Sequence, residues 1–178
     1  AIMRAIPNLR VFSPCDFWEI QEITKKVVEL GGVNYIRIDK SSAGNTRKND
    51  EDFIVGKGRV LTDGTDVTII ATGGIVELAL EAHKKLNLSG ISSKVVSMHT
   101  IKPIDKDIIR QHAKNSKLFV TVEEHNKVGG LGSSVAEFSS TLTSKPKQLF
   151  IGINDQYDKG GDYTFLKDKN GLNAESIA

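Results

Sequence analysis

The stretch VTVEEHNKVGGLGSSVAE, from Val120 to Glu137, places two carboxylates, an imidazole and a glycine-rich loop side by side. Depending on how the backbone turns, such a set serves proton transfer, metal binding or phosphate binding. Glu123, Glu124 and His125 are consecutive, and successive side chains of a strand point to opposite faces, so the three do not converge on one ion unaided. GGLGSS is close to the dinucleotide-binding fingerprint, but Val135 stands where the third glycine belongs, and the loop follows the third strand of its domain instead of the first. The reading preferred for Gly129, Gly130 and Gly132 is therefore a sharp turn that brings a helix N-terminus close to another backbone. The free N–H groups of that terminus suit an anion or a partner's carboxylate.

The four histidines, His83, His99, His112 and His125, fall on different elements and show neither HExxH nor Cys/His finger spacing. His99 and His125 each follow a core strand at its C-terminal end, the edge where open α/β sheets place ligands. This leaves open a rim shared by His99, Glu123 and His125 or ordinary loop polarity. Arg37 and Lys40, in YIRIDKSSAGN, close another strand. Arg supplies a fork of donors and Lys a mobile point charge, a combination suited to a sugar phosphate. The alternative is a solvated basic edge paired with Asp39 or the acidic residues that follow.

The elements that hold these residues can be read from periodicity. NLRVF reads as a strand, and SPCDFWEIQEITKKVVELGG as a helix with Ser13 as N-cap, Pro14 in the first turn, Asp16 closing a capping box and Gly31 as the stop. Phe17, Ile20, Ile23, Val27 and Leu30 make its buried stripe. VNYIRI is a strand, and DKSSAGNTRKNDED a polar linker. Thereafter DVTIIATGG, SKVVSMH, KLFVTVEE and KQLFIGI are apolar strands alternating with the helices IVELALEAHKKL, DKDIIRQHAK and the one after GGLGSS, with TIKPID as a loop. Strands apolar on both faces and separated by helices predict an α/β fold, a three-layer α/β/α domain with a mostly parallel sheet. The division expected is residues 1–45 as the end of one α/β domain, 46–57 as linker and 58–178 as the second domain. Both ends are read as cut, the last residues starting a helix near Asn173.

Composition narrows the classes. Of 178 residues, 39% are hydrophobic and 26% charged, and no apolar run approaches the ~20 residues a membrane helix needs. A net charge of +2 with three Tyr and one Trp gives no support for nucleic-acid binding. A single cysteine, Cys15, forms no internal disulfide, and no signal-peptide pattern is visible, so the expected compartment is the cytoplasm.

The succession AIMRAIPNLRVFSPCD, YIRI, GKGRVLTDGTDVTIIATGGIVELALEA, VVSMHTIKPID, VTVEEHNKVGGLGSSVAE and IGINDQY resembles the C-terminal section of transketolases, especially the split, short-chain kind and the related deoxyxylulose-phosphate synthases. It covers nearly the whole chain in order. The resemblance implies an enzyme that uses thiamine diphosphate and Mg2+ to move a two-carbon ketol unit between sugar phosphates, the cofactor supplying the carbanion chemistry. It implies that residues 1–45 are the remnant of the pyrimidine-binding domain and 58–178 the transketolase C-terminal domain. Cofactor activation and metal binding then lie outside this chain. Alone the chain is expected to bind no cofactor and to be inactive, working with the N-terminal thiamine-binding part, most simply as a homodimer.

Residue by residue, Lys40 falls where the synthases carry a phosphate-contacting arginine, in a segment like RYPRG, and Arg37 precedes it; both are candidates for substrate-phosphate binding. Ser13 stands where long-chain transketolases have an arginine before Pro-Ala-Asp, so that phosphate contact is missing. The glycine loop belongs, in relatives, to a domain that supports dimer packing. Glu123, His125, Gly129, Gly130, Gly132 and His99 are thus candidates for a subunit interface. Two other readings stay open: a non-enzymatic dimerisation or regulatory module, and part of a deoxyxylulose-phosphate synthase or keto-acid dehydrogenase β subunit. Because a short strand pair rarely stands alone, residues before about 45 are expected to be poorly ordered or to dock onto the main domain or a partner.

Overall fold

The computed structural model describes residues 1–41 and 44–178; Ser42 and Ala43, within the stretch read as linker, lie outside the described residues. The main sheet contains β3 (Arg59–Val60), β4 (Val67–Thr72), β5 (Ser93–Ser97), β7 (Leu118–Asn126) and β8 (Lys147–Ile153), in the order β3-β5-β4-β7-β8. All pairings are parallel except β3 with β5 at one edge. Its helices are α3 (Val76–Leu88), α4 (Lys106–Ala113), α5 (Leu131–Ser139), α6 (Tyr163–Lys169) and α7 (Ala174–Ile177).

Alternation along β4 decides which helix meets which face. Ile69 and Ala71 join Val95, Val120 and Val122 against Val76, Ala79, Ala82 and Leu86 of α3 and Ile177 of α7. Ile70, with Val96 and Phe119, packs on Ile108 and Ile109 of α4 and Leu131 and Val135 of α5. The sheet is thus covered on both sides, as its continuous apolar strands predict. The short final helix begins at Asn173, whose side chain accepts from the Ser176 amide.

The N-terminal elements are α1 (Ile2–Ala5), β1 (Leu9–Phe12), α2 (Phe17–Leu30) and β2 (Val33–Ile36). Here the structure differs from the sequence reading at several points, the first being α1, which no periodicity announced. The segment TIKPID contains a further strand, β6 (Thr100–Lys102), antiparallel to β1, so the N-terminal strand pair becomes a three-stranded sheet, β2-β1-β6. Leu9 and Val11 of β1 enter the same core as Ile70 and Val96, which docks the segment on the main domain. The N-cap of α2 is Asp16, not Ser13: its carboxylate accepts from Glu19 N–H at 2.8 Å, while Ser13 uses its backbone to bond His99 and Gly73. The buried face of α2 also turns. Trp18, Glu19 and Ile23 face inward, and Phe17 is 68% exposed.

Glu19 explains the rotation. It is fully buried, and one oxygen accepts from Arg59 at 2.7 Å and from the Ser97 hydroxyl at 2.8 Å; the other accepts from Cys15 N–H at 2.7 Å. Arg59 also makes a bidentate pair with Glu51, 2.8 Å at each bond, and lies over the Trp18 ring. Asp16 receives both the amide and the hydroxyl of Thr46. The irregular stretch around Thr46 and Glu51 is therefore fastened to α2 and β3 by charge-assisted bonds.

Candidate functional site

β7 extends past the point where β4 stops, since their pairing ends at Thr72 and Glu123. Glu123 is 3% exposed, and its two oxygens accept from the amides of Leu131 at 2.7 Å and Gly132 at 2.8 Å. The N-terminus of α5 is thus filled by a carboxylate of the chain itself, the occupant that its unpaired N–H groups and dipole favour. Burial pushes the Glu123 carboxyl up, and the two amides offset this only in part.

The glycines make this closure possible. A Cβ on Gly130 would overlap Glu123 Oε2, and one on Gly132 would run into the Phe150 ring. Gly129 has φ +79°, the left-handed region that glycine enters without cost from a side chain. His125 shares the face of Glu123, its Nδ1 lying 3.8 Å from Glu123 Oε2 and donating to the Asn126 carbonyl at 2.6 Å. Burial holds the imidazole below its usual range. Arg4 of α1 donates to the carbonyls of Gly129 at 2.8 Å and Gly130 at 3.3 Å, and pairs with Glu137. The loop that bears the interface candidates Glu123, His125, Gly129, Gly130 and Gly132 is engaged within the chain; Val128, 67% exposed, is its outward point.

Arg37 and Lys40 diverge. The Arg37 guanidinium donates to the Glu124 carbonyl at 3.0 Å, lies 3.8 Å from Glu124 Oε1 and 3.6 Å from Asp39 Oδ2. Lys40 is exposed, and among the described residues no ion pair involves it. Between α1, β1 and the end of β7 lies a cavity of about 520 Å3, with Arg4, Ser13, Arg37, Glu124 and His125 on its wall.

His99 is not brought to this rim. It is 1% exposed, stacks against Phe53 with centroids 4.4 Å apart, and bonds the Thr100 hydroxyl at 2.9 Å. Its place is in the seam beside Glu19 and Arg59, where burial depresses its basicity. His83 bonds Ser93 at 3.0 Å, and His112 faces Lys94 at 3.3 Å. Sequence reasoning passed over Tyr163, whose hydroxyl donates to Glu124 Oε2 at 2.6 Å; a tyrosine at the start of a short helix carries no local signal for a partner 39 positions away.

Among the described residues no group of three His, Cys, Asp or Glu side chains could hold a metal ion, and no helix is long and apolar enough to cross a membrane. Because Glu123 takes the Leu131 and Gly132 amides, the α5 terminus itself is not open to a diphosphate.

Residues 56–177 match the family described as transketolase, C-terminal domain, and the chain belongs to that family. Its members are parts of thiamine-dependent transferases and synthases. Over its full length the chain is 43% identical to a putative transketolase C-terminal section of Methanocaldococcus jannaschii. Over 99% of its length it is 35% identical to one of the subunits of an apulose-4-phosphate transketolase from Phocaeicola vulgatus. A 1-deoxy-D-xylulose-5-phosphate synthase of Heliobacterium modesticaldum is 33% identical over the whole chain, which covers 28% of that protein. The chain spans 56% of the length of each of the first two. Among solved structures, a split gene transketolase described as an inactive beta4 tetramer superposes with TM-score 0.90 and 39% identity, covering 99% of this chain and 57% of that one. The transketolase of Campylobacter jejuni, TM-score 0.67 at 17% identity, shares the fold.

Proposed function

We propose that this chain is the C-terminal part of a split transketolase that transfers a two-carbon ketol unit between sugar phosphates. It acts in the cytoplasm with a separate thiamine-binding part that holds thiamine diphosphate and Mg2+. The observation that carries the reading is the likeness in sequence and fold, over 99% of the chain, to a split gene transketolase. Within the enzyme, Lys40 is the cation offered to substrate phosphate, since it is exposed while Arg37 is engaged by Asp39 and Glu124. Alone the chain is inactive. Association into dimers uses the exposed crest of the glycine loop at Val128, with Glu123, His125 and the glycines shaping it from inside.

The test is complementation. The chain is combined with the thiamine-binding part, thiamine diphosphate and Mg2+, and ketol transfer from a ketose phosphate to an aldose phosphate is followed. Turnover that needs both parts, with a KM for the phosphorylated acceptor raised about tenfold by Lys40→Met, supports the reading, a lost charged hydrogen bond being worth about 1.5–3 kcal/mol. Bound cofactor without turnover on any sugar phosphate rejects it in favour of another donor, such as a keto acid.

A further inference from the structure

Lys40 stands on a backbone segment anchored from a distance. The carboxylate of its neighbour Asp39 is 7% exposed; Oδ2 accepts from Gly74 N–H at 2.7 Å, and Oδ1 accepts from the amide and hydroxyl of Ser41. Burial disfavours the Asp39 charge, but these bonds and the Arg37 guanidinium outweigh it, and the carboxyl sits below its usual range. Asp39 thereby pins the Lys40 backbone to the turn that leads into α3.

Arg37 is in turn oriented by Glu124, through both the carbonyl and the carboxylate. The other carboxylate oxygen of Glu124 is occupied by the Tyr163 hydroxyl, whose proton is held by burial and by that carboxylate. An uninterrupted series runs from Tyr163 through Glu124, Arg37 and Asp39 to Gly74. It crosses from α6 over the end of β7 to the segment after β2. A lysine is a point charge on a flexible stem, so its aim depends on where its backbone is fixed.

We infer that Tyr163 and Glu124 are positioning residues, which through Arg37 and Asp39 set the Lys40 segment for a phosphorylated sugar. The inference rests on the reading of Lys40 as the substrate-phosphate cation. It gives α6, an element distant in sequence, a part in substrate specificity, and it makes Arg37 a connector instead of a phosphate ligand.

The experiment compares Tyr163→Phe, Glu124→Gln and Lys40→Met in the assembled enzyme, with an aldose phosphate and the same aldose unphosphorylated as acceptors. Exchange of the Gly74 amide is followed in parallel. For Tyr163→Phe and Glu124→Gln the expected result is a rise of about two- to tenfold in KM for the phosphorylated acceptor, the range of one lost hydrogen bond. The KM for the unphosphorylated aldose and kcat stay unchanged, and Gly74 exchanges faster. Unchanged Gly74 exchange in both variants overturns the connection. Equal rises in KM for both acceptors, or a lower Tm alone, overturn the positioning role. If Lys40→Met leaves the phosphorylated acceptor unaffected while Gly74 still responds to Tyr163→Phe, the Lys40 reading fails, and the positioning role with it, although the connection itself stands.

Discussion

Glu123 and His99 are both buried titratable groups, and because burial disfavours the charged form of each, their contributions to stability depend on pH in opposite directions. His99 has its basicity depressed by burial, while Glu19 favours and Arg59 opposes its charge. As pH falls from about 6.5, the unfolded chain takes up a proton that folded His99 refuses, so stability falls with pH. His112 and His125, also depressed by burial, act in the same direction. Glu123 is raised above its ordinary 4.5, so its folded form retains a proton that the unfolded chain releases, and stability is lost as pH rises through its folded pKa. Urea denaturation from about pH 7 down to about pH 5.5 is expected to give a shallower loss of stability for His99→Gln than for the wild-type chain. An equal slope would place the acid sensitivity in His112 and His125.

At the scale of elements, the turn from β7 into α5 is set by what the glycines omit. A methyl at Gly132 meets the edge of the Phe150 ring and, at 2.9 Å, the Thr121 hydroxyl. Gly132→Ala is expected to cost about 1–3 kcal/mol by overpacking. Adding Phe150→Leu, which removes the obstructing ring, should recover part of that loss; denaturant midpoints of the single and double variants check this. If the double variant only adds the two losses, the obstruction lies in the Thr121 hydroxyl or the backbone around it and not in the ring.

For the molecule as a whole, β6 is the decisive piece. It leaves the main domain between β5 and α4 to complete the sheet of β1 and β2, and Leu9 and Val11 share a core with α4 and α5. The buried Glu19–Arg59 pair closes the same seam from α2. Amides of β1 are therefore expected to exchange as slowly as those of β4, in one cooperative unfolding step. Native-state hydrogen exchange measures this directly. Fast exchange confined to residues 9–12 would show the N-terminal sheet opening independently of the main domain.

Periodicity was sufficient for the parallel strands of the main domain, though not for the two-residue edge strand β3 or the short helix α6. Val67–Thr72, Ser93–Ser97 and Leu118–Asn126 are apolar on both faces and separated by helices, and only a covered parallel sheet satisfies them. The strength of glycine as a turn former likewise made the bend before α5 legible. Local pattern misplaced the cap and the buried face of α2, because Ser13 and Asp16 are equally good caps and Phe17 equally apolar. The choice was made by Arg59, forty positions away, which requires Glu19 inside. The three residues of β6 carry too little alternation to be read before β1 is there to pair with them. Arg37 and Lys40 look alike as cations at a strand end; Glu124 and Asp39 separate them by engaging Arg37. The sequence by itself determined the four parallel strands of the main sheet, the helices α3, α4 and α5 between them and the positions where chemistry is available. Tertiary structure alone decided which charges are already paired, because ion pairs form between groups brought together in space from far apart in the chain.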